Sequence, residues 1–296
     1  MDWLKQIQPN QPILLAGPTA SGKSAMALEI AARFDGIVVN ADALQVYDCW
    51  QVLTARPSAT DLAQALHLLY GHVGRDQAYS VGHWLREVTE ILKTIPNRSV
   101  IITGGTGLYF TALVDGLAEI PEIDAATRNL ANQRMNDAGH TGLLDDLIAS
   151  DPKTVARIDT LNPVRIQRAW EVYTATGKGL ADWQDSTPPP LLPLLPSNAF
   201  VLNAPKEWLT PRINTRFDTM LERGALAECR ANLPNWNPQS AAAKAIGAAE
   251  LMSYLKGDIT LPQAIEAATI ATRQYAKRQR SWFRARLKNW TWIDAT

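Results

Sequence analysis

The sequence contains little cysteine and no long apolar run. Its 296 residues include two cysteines, Cys49 and Cys229, which lie far apart and form no CxxC pair. They are interpreted as reduced structural thiols rather than as a disulfide or zinc framework. No apolar segment approaches the ~18 residues of a membrane-spanning helix, and the N-terminus has no apolar run of signal-peptide length. These absences predict a soluble, cytoplasmic protein that does not associate with membranes.

The chain also lacks net charge, because 29 basic side chains balance 29 acidic ones. A neutral total neither requires nor excludes a nucleic-acid partner, since a local basic face would be enough. The four histidines show no metal-ligand spacing, and no Ser/His/Asp or Cys/His arrangement is evident. The chain is long enough for about two domains.

Short apolar segments alternate with helical patterns through the first part of the chain. Strands are predicted at 12–16, 37–41, 99–103 and 199–204, with a weaker candidate at 67–73. Helices are predicted at 22–34 and 81–95, the second capped by Ser80. This order predicts an α/β fold, a mostly parallel sheet flanked by helices.

The pattern changes after about residue 118, where helical signals continue without a convincing strand. Asp151-Pro152 and Asn162-Pro163 each predict an N-cap followed by proline at the first helical position, and a proline-rich connector occupies 186–198. Thr210-Pro211 predicts another helix start. We therefore expect a core domain formed by 1–118 and 190–296 and an inserted all-helical domain at 119–189.

The segment GPTASGKS, residues 17–24, matches a phosphate-binding loop (P-loop) and lies between a predicted strand and helix. Glycine lets backbone N–H groups surround phosphate oxygens, and the helix N-terminus adds a positive dipole. Lys23 can reach the outer phosphate, and the Ser24 hydroxyl can bind Mg²⁺. The motif indicates a phosphate chain with Mg²⁺, and by itself does not specify ATP.

Two other strand ends carry candidate groups. The strand at 99–103 runs into GGTG, residues 104–107, which is either a second loop offering N–H groups and a hydroxyl or an ordinary tight turn. Asp42 follows the second strand, where it could bind Mg²⁺, accept a proton or cap a turn. Gln45 could pair with a base edge or lie on the surface.

A basic segment near the C-terminus, TRQYAKRQRSWFRARLK at 272–288, contains no acidic residue. Arg273, Lys277, Arg280 and Arg284 have the spacing of one helical stripe. The segment could be a solvated face, but its one-sided charge in a neutral chain favours an anionic polymer as its partner.

In combination, the motifs resemble one family, the tRNA dimethylallyltransferases of bacterial type. The matching stretches, in chain order, are GPTASGKS, NADALQVY, TARPS, GGTGLY, NPVRIQRAWEV, PRINTRF, AIGAAEL and TRQYAKRQRSWFR. They span residues 17–284. The chain departs from the family pattern at Arg56, where lysine is usual, and at Ala248, where an aromatic residue is frequent.

The resemblance implies a P-loop NTPase-like core and a specific reaction. In this family the P-loop holds the pyrophosphate of dimethylallyl diphosphate, and the dimethylallyl group moves to N6 of the adenosine 3′ of the anticodon in tRNAs that read codons beginning with U. By position, Asp42 would accept the N6 proton. Lys23, Ser24 with Mg²⁺, Thr106 and Arg216 would stabilise the leaving pyrophosphate, with Arg212 the competing arginine.

The resemblance also implies a tRNA anticodon stem-loop as partner, and we expect a monomer. The diphosphate would be held by Gly17, Pro18, Thr19, Ala20, Ser21, Gly22, Lys23 and Ser24. The residues expected to meet tRNA are Asp42, Ala43, Leu44, Gln45, Thr106, Arg128, Val164, Arg165, Ile166, Gln167, Arg168, Arg273, Lys277, Arg280 and Arg284.

Two other functions remain open at this point. A P-loop kinase for a small molecule or nucleotide would turn over ATP and would have no use for the basic stripe. An RNA-binding protein regulated by nucleotide would bind RNA without depending on Asp42.

Overall fold

A computed structural model describes residues 2–95 and 98–295. Among these residues six strands form one parallel sheet in the order β3-β2-β4-β1-β5-β6. The strands are β1 (Ile13–Ala16), β2 (Ile37–Asn40), β3 (His67–Leu68), β4 (Val100–Gly104), β5 (Ala199–Asn203) and β6 (Thr291–Asp294). The predicted fold class, a parallel sheet flanked by helices, is therefore confirmed.

The α-helices that accompany this sheet differ widely in length. In chain order they are α1 (Lys23–Phe34), α2 (Ala59–Gln64), α3 (Val81–Thr94), α4 (Gly107–Val114), α5 (Ala125–Ser150), α6 (Pro152–Val155), α7 (Pro163–Thr176), α8 (Leu180–Asp185), α9 (Lys206–Glu222), α10 (Ala225–Asn232), α11 (Ala248–Lys256) and α12 (Leu261–Arg286). α5 is interrupted at Gly139, whose φ of 66° is not helical. No helix within the described ranges is both long and apolar enough to cross a membrane.

The central strands are buried on both faces. Every residue of β1, β2 and β4 is buried, as expected for short runs rich in β-branched and leucine side chains between two helical layers. α1 covers one face with Ala27, Ile30 and Ala31. Because the strands are parallel, the segments after β1, β2 and β4 meet at the same edge, which is where ligands bind in such sheets.

Local capping follows the predicted chemistry. Ser80 is the N-cap of α3, and its hydroxyl accepts a hydrogen bond from the His83 N–H. Asp151 and Asn162 cap α6 and α7 with their side chains, and a proline follows each of these two caps. The prediction that Thr210-Pro211 begins a helix is wrong. α9 begins earlier, at Lys206, and Pro211 lies inside it.

The strand predictions differ from the structure at both edges of the sheet. The candidate at 67–73 is reduced to β3, with a separate bridge between Tyr47 and Val73. β6 was not predicted, because it has only four residues and obtains its place by pairing with β5. Neither difference alters the edge that holds the predicted site.

The chain divides into two compact units, residues 1–114 with 192–296 and residues 115–191. The first contains the whole sheet and α1–α4 and α9–α12. The second is helical, with a small core of Leu143, Leu147, Ile166 and Ala169. The predicted insertion, 119–189, lies within this second unit.

Candidate active site

The P-loop connects β1 to α1 through backbone conformations that suit a tight anion cradle. Gly22, the residue before α1, has a φ of 89°, and a Cβ added there would meet no atom within 4 Å. Ala20 also has a positive φ, 62°. Gly17 is closely packed, since a Cβ there would lie 2.8 Å from Ser21 Oγ and 3.1 Å from Leu202 Cβ. The loop therefore needs glycine for space at one end and for conformation at the other.

Lys23 begins α1 and extends back over the loop, where its Nζ lies 3.4 Å from the Pro18 carbonyl oxygen. Burial lowers the pKa of Lys23 to about 8, against the opposing effect of the Asp42 carboxylate and together with the nearby Arg216 charge. An anion placed beside this buried lysine would stabilise its charged form and raise its pKa again. Ser24, the next residue, is exposed, and it lines a cleft together with Lys23.

Asp42 follows β2 and is held by a buried asparagine. Asn40 is fully buried, its Oδ1 accepts the Asp42 N–H at 2.8 Å, and its Nδ2 donates to the carbonyl oxygens of Asp42 and Leu69. The Asn40 carbonyl oxygen in turn accepts from Trp84 Nε1 at 2.6 Å. Asp42 Oδ1 accepts the Leu44 N–H at 3.0 Å, so the other carboxylate oxygen, Oδ2, is not used in this bond.

Three tyrosines lie within electrostatic range of Asp42. Burial, with the negative charge of Asp42, raises the pKa of Tyr70, Tyr109 and Tyr275 well above the ordinary value. Tyr109 stacks on Trp84 with ring centroids 4.4 Å apart. Of these three tyrosines, only Tyr275 lines a cleft together with Asp42.

The GGTG loop closes onto the end of β2. The Thr106 N–H donates to the Ala41 carbonyl oxygen at 3.1 Å, and Thr106 Oγ1 accepts the Ala43 N–H at 2.9 Å. The Thr106 N–H is thus already hydrogen-bonded, so Thr106 itself can offer a ligand only its hydroxyl. A Cβ at Gly104 would lie 2.0 Å from the Ala41 carbonyl oxygen, which explains the glycine there.

Two adjoining clefts meet at Arg216. One is lined by Asp42, Thr54, Phe217 and Tyr275, and the other by the P-loop from Ala20 to Ser24; Arg216 lines both. Burial lowers the pKa of the Arg216 guanidinium, and Asp42 opposes that shift. Arg212 is placed differently: its Nε donates to the Ala20 carbonyl oxygen at 3.1 Å and its guanidinium lies 4.1 Å from the Trp208 ring centroid.

Arg212 and Arg216 both line the P-loop cleft, but of the two only Arg216 also lines the Asp42 cleft. Arg216 is therefore the arginine of PRINTRF that borders both clefts, and its role in a reaction stays a prediction. The arrangement places one carboxylate on one side and two cations on the other, which suits attack by a neutral nucleophile on a carbon bearing an anionic leaving group.

Comparison with known proteins identifies the family to which the chain belongs. The model of the IPP transferase family matches residues 45–286. The chain belongs to this family. A tRNA dimethylallyltransferase of Dinoroseobacter shibae is 58% identical over 288 residues, which cover 97% of this chain and 96% of the relative.

Two solved structures of IPP transferase relatives share the fold. The tRNA isopentenylpyrophosphate transferase of Bacillus halodurans has 30% identity and a TM-score of 0.68, with 97% of this chain and 90% of that chain covered. A eukaryotic dimethylallyltransferase acting on tRNA has 25% identity and a TM-score of 0.81, with 97% and 74% covered. The predicted family and enzyme class are thereby confirmed.

In this member of the IPP transferase family, the four residues of NADALQ that were predicted to contact RNA differ in whether their polar groups are available to a ligand. Asp42 and Leu44 line the first cleft, whereas the Ala43 N–H is bonded to Thr106. Gln45 also lines that cleft, but its Nε2 donates to the carbonyl oxygens of Thr54 and Ala55 at 2.8 and 3.2 Å. Only its Oε1 therefore remains to accept from a base.

The basic stripe lies along α12. Lys277 and Arg284 are exposed, Arg273 donates to Asn214 Oδ1 at 3.1 Å, and the Nε of Arg280 is buried without a partner within the described residues. The stripe is therefore a cationic face with two members free for an anionic ligand and two that also contribute to packing.

Within the second unit, the predicted RNA residues fall on different faces of α7. Val164 is 76% exposed and Arg165 is also exposed, but Ile166 is fully buried in the core of that unit. An RNA contact by the Ile166 side chain is not supported, because five consecutive residues of a helix cannot share one face. The spacing of Ile166, Ala169 and Val172 could have shown this from the sequence.

The remaining members of this group are engaged within the unit. Gln167 donates to Asn132 and to Glu171, and Arg168 lies 3.9 Å from Glu171. Burial lowers the pKa of Arg168; Glu171 opposes this shift, and the nearby Arg128 charge adds to it. Arg128 and Arg168 are thus within electrostatic range of each other, and Glu171 partly offsets the Arg168 charge.

Sequence reasoning missed two residues that position the site, Asn40 and Gln279. Asn40 stands inside NADALQVY, and its position before the predicted aspartate is the available signal. Gln279 accepts the Thr19 N–H at 2.9 Å and donates to the Gly105 carbonyl oxygen at 2.9 Å. No local pattern identifies a partner 260 residues away in the chain.

Proposed function

We propose that this chain transfers the dimethylallyl group of dimethylallyl diphosphate to N6 of the adenosine 3′ of the anticodon in a tRNA. The observation that carries the proposal is the position of Arg216, which lines both the Asp42 cleft and the P-loop cleft. The relatives are named as enzymes of this reaction class. The reaction needs an acceptor site and an anion site that adjoin each other, and these two clefts have Arg216 in common.

The adenosine would enter the Asp42 cleft and the diphosphate would lie in the P-loop. Asp42 Oδ2 accepts a proton from the N6 amine as the nitrogen lone pair forms a bond to the allylic carbon. The carbon–oxygen bond breaks, and its electron pair leaves with pyrophosphate. Lys23, Arg216 and the Thr106 hydroxyl stabilise the charge that develops on the leaving oxygen. This division of roles matches the arrangement of one carboxylate facing two cations.

The base must leave the anticodon-loop stack to reach a cleft of this kind. Tyr275 and Gln45 line the same cleft as Asp42, and the Tyr275 hydroxyl and the Gln45 Oε1 can orient the base there. The exposed members of the α12 stripe would hold the RNA backbone. Arg128, Val164, Arg165 and Arg168 of the second unit remain predicted RNA contacts.

Mg²⁺ fits the P-loop as a partner of the diphosphate. Within the described residues, no group of three or more His, Cys, Asp or Glu could hold a metal. The exposed Ser24 hydroxyl supplies one oxygen ligand beside the cleft, and diphosphate oxygens and water would supply the others, which is the donor set that Mg²⁺ prefers. The ion supplies charge neutralisation of the diphosphate when bound.

The test is transfer of label. Purified protein is incubated with Mg²⁺, unmodified tRNA and labelled dimethylallyl diphosphate, and a parallel reaction contains labelled ATP. We expect label to enter tRNA from the isoprenoid alone, at an adenosine next to the anticodon. Release or transfer of phosphate from ATP without prenyl transfer would contradict the proposal and favour a kinase.

A further inference from the structure

One face of α12 is turned inward and packs against the GGTG loop, opposite the cationic stripe. Tyr275, Gln279 and Trp282 lie on this face, at spacings of four and three residues. A Cβ at Gly107 would lie 2.1 Å from the Trp282 ring, and one at Gly105 would lie 2.2 Å from Gln279 Nε2. The Tyr275 hydroxyl is within hydrogen-bonding reach of Thr106. The three side chains thus contact three consecutive residues of that loop.

Gln279 differs from its two neighbours because it also reaches the P-loop. It is 5% exposed, and its amide connects the Thr19 N–H to the Gly105 carbonyl oxygen. The orientation of the amide is fixed by its partners, since an N–H can only donate and a carbonyl can only accept. A side chain that replaces Gln279 must therefore offer one acceptor and one donor at the same reach.

We propose that Gln279 is a positioning residue that holds the P-loop and the GGTG loop at a fixed separation, and so sets the affinity of the enzyme for the diphosphate. The inference rests on the proposed function for the identity of that diphosphate. Thr19 is the third residue of the P-loop, and Gly105 precedes Thr106, so one amide fixes both sides of the anion site.

The bond network supports this role over simple core packing. Gln279 also has a side-chain hydrogen bond with Tyr275, but the two loop groups that it joins, the Thr19 N–H and the Gly105 C=O, are backbone groups outside helices and strands, so no secondary-structure ladder holds them in place. Losing the amide leaves the part-buried Thr19 N–H and the buried Gly105 C=O without this partner, and the two loops are then free to move apart. The cost falls on the anion site and not on the exposed stripe, which lies on another face of α12.

The experiment compares three variants. Gln279→Met preserves length and apolar volume but makes neither bond. Gln279→Glu accepts from Thr19, but it cannot donate to Gly105 while it is ionised. Gln274→Met, at an exposed position of the same helix, is the matched control. Calorimetry measures the Kd of inorganic pyrophosphate without RNA, a filter assay measures the Kd of tRNA, and thermal unfolding reports folding.

We expect Gln279→Met to raise the Kd of pyrophosphate and the KM of the isoprenoid donor by about tenfold, the scale of two lost hydrogen bonds. The Kd of tRNA should stay within about twofold, and Gln274→Met should match wild type in both assays. For Gln279→Glu, the ratio of its pyrophosphate Kd to that of wild type should fall between about pH 8 and pH 5.5, because a protonated carboxyl can again donate to Gly105. Gln279→Met should show no such recovery.

Unchanged pyrophosphate affinity in Gln279→Met would overturn the inference, as would an equal loss of tRNA affinity or the absence of recovery at low pH in Gln279→Glu. These outcomes are separable from failure of the proposed function. A wild-type protein that binds pyrophosphate but transfers no prenyl group would contradict the function, while the pyrophosphate affinities of the variants would still decide the role of Gln279.

Discussion

Thr106 is bonded to both chain neighbours of Asp42. Its N–H donates to the Ala41 carbonyl oxygen at 3.1 Å, and its Oγ1 accepts the Ala43 N–H at 2.9 Å. The residue proposed to stabilise the leaving group therefore also fixes the backbone on either side of the residue proposed to accept the proton. The proposed leaving-group site and the proposed proton acceptor are therefore connected through the backbone N–H and the short side chain of one threonine.

Asp42→Asn should abolish most turnover while leaving the site folded. The amide keeps an oxygen that can accept the Leu44 N–H, but it cannot take the N6 proton. We expect kcat to fall by roughly 10²–10⁴-fold, the usual scale for a general base, with tRNA affinity preserved. Asp48→Asn, an exposed aspartate nearby in the chain, is the control. A kcat within about threefold of wild type would assign the proton to another group.

The sequence predicted the fold class, the family and the residues that lie at the carboxyl edge of the sheet. It could do so because strands such as β2 and β4 are short β-branched runs, and because Ser80 and Asn162 cap their helices by local hydrogen bonds. Asp42, Thr106 and Lys23 follow strands or a strand-loop-helix pattern, so their common edge follows from parallel topology.

What the sequence could not predict depends on contacts between distant parts of the chain. The partners of Gln279 lie 260 and 174 residues away. Pro211 stays inside α9 because the helix has already begun at Lys206, and burial of Leu209 and Ile213 fixes that helix against the core. The predicted Mg²⁺, the monomeric state and the set of tRNAs stay predictions.

Diphosphate binding should weaken as pH rises through about 8, the pKa of Lys23 in the free protein. Above that pH the lysine loses the charge that attracts the anion, so the Kd of pyrophosphate should increase up to about tenfold per pH unit. The pKa of this lysine is lower when folded than when unfolded, so its contribution to folding stability rises between about pH 8 and 10.5. Weaker binding therefore cannot arise from unfolding driven by this lysine.

Calorimetry between about pH 6.5 and 9.5 measures this dependence, because the range brackets the Lys23 pKa of about 8. Lys23→Met should bind pyrophosphate weakly at every pH, and its plot of log Kd against pH should show no change of slope near pH 8. A change of slope that persists in Lys23→Met would assign the titration to another group or to the ligand.

Arg216→Gln and Arg212→Gln should separate the two arginines of PRINTRF. Arg216 lines both clefts, so its loss should lower kcat by about 10²–10³-fold, as expected for one group that stabilises developing negative charge. Arg212 supports Ala20 of the P-loop through one hydrogen bond, so its loss should change the donor KM by less than about tenfold. Steady-state kinetics with tRNA in excess measures both. The reverse order of effects would move the catalytic role to Arg212.

Neutralising two exposed cations of α12 should weaken tRNA binding in a salt-dependent way. Lys277 and Arg284 are the suitable pair, since Arg273 is bonded to Asn214 and Arg280 has a buried Nε. If each neutralises one phosphate, Lys277→Gln with Arg284→Gln should reduce the slope of log K against log salt by about 1.5.

The control for this pair is Arg223→Gln with Lys256→Gln, two exposed positions in the same unit. It removes the same charge away from α12 and should leave the salt slope unchanged. If both double variants reduced the salt slope by the same amount, the protein's total charge, and not this face of α12, would govern RNA binding.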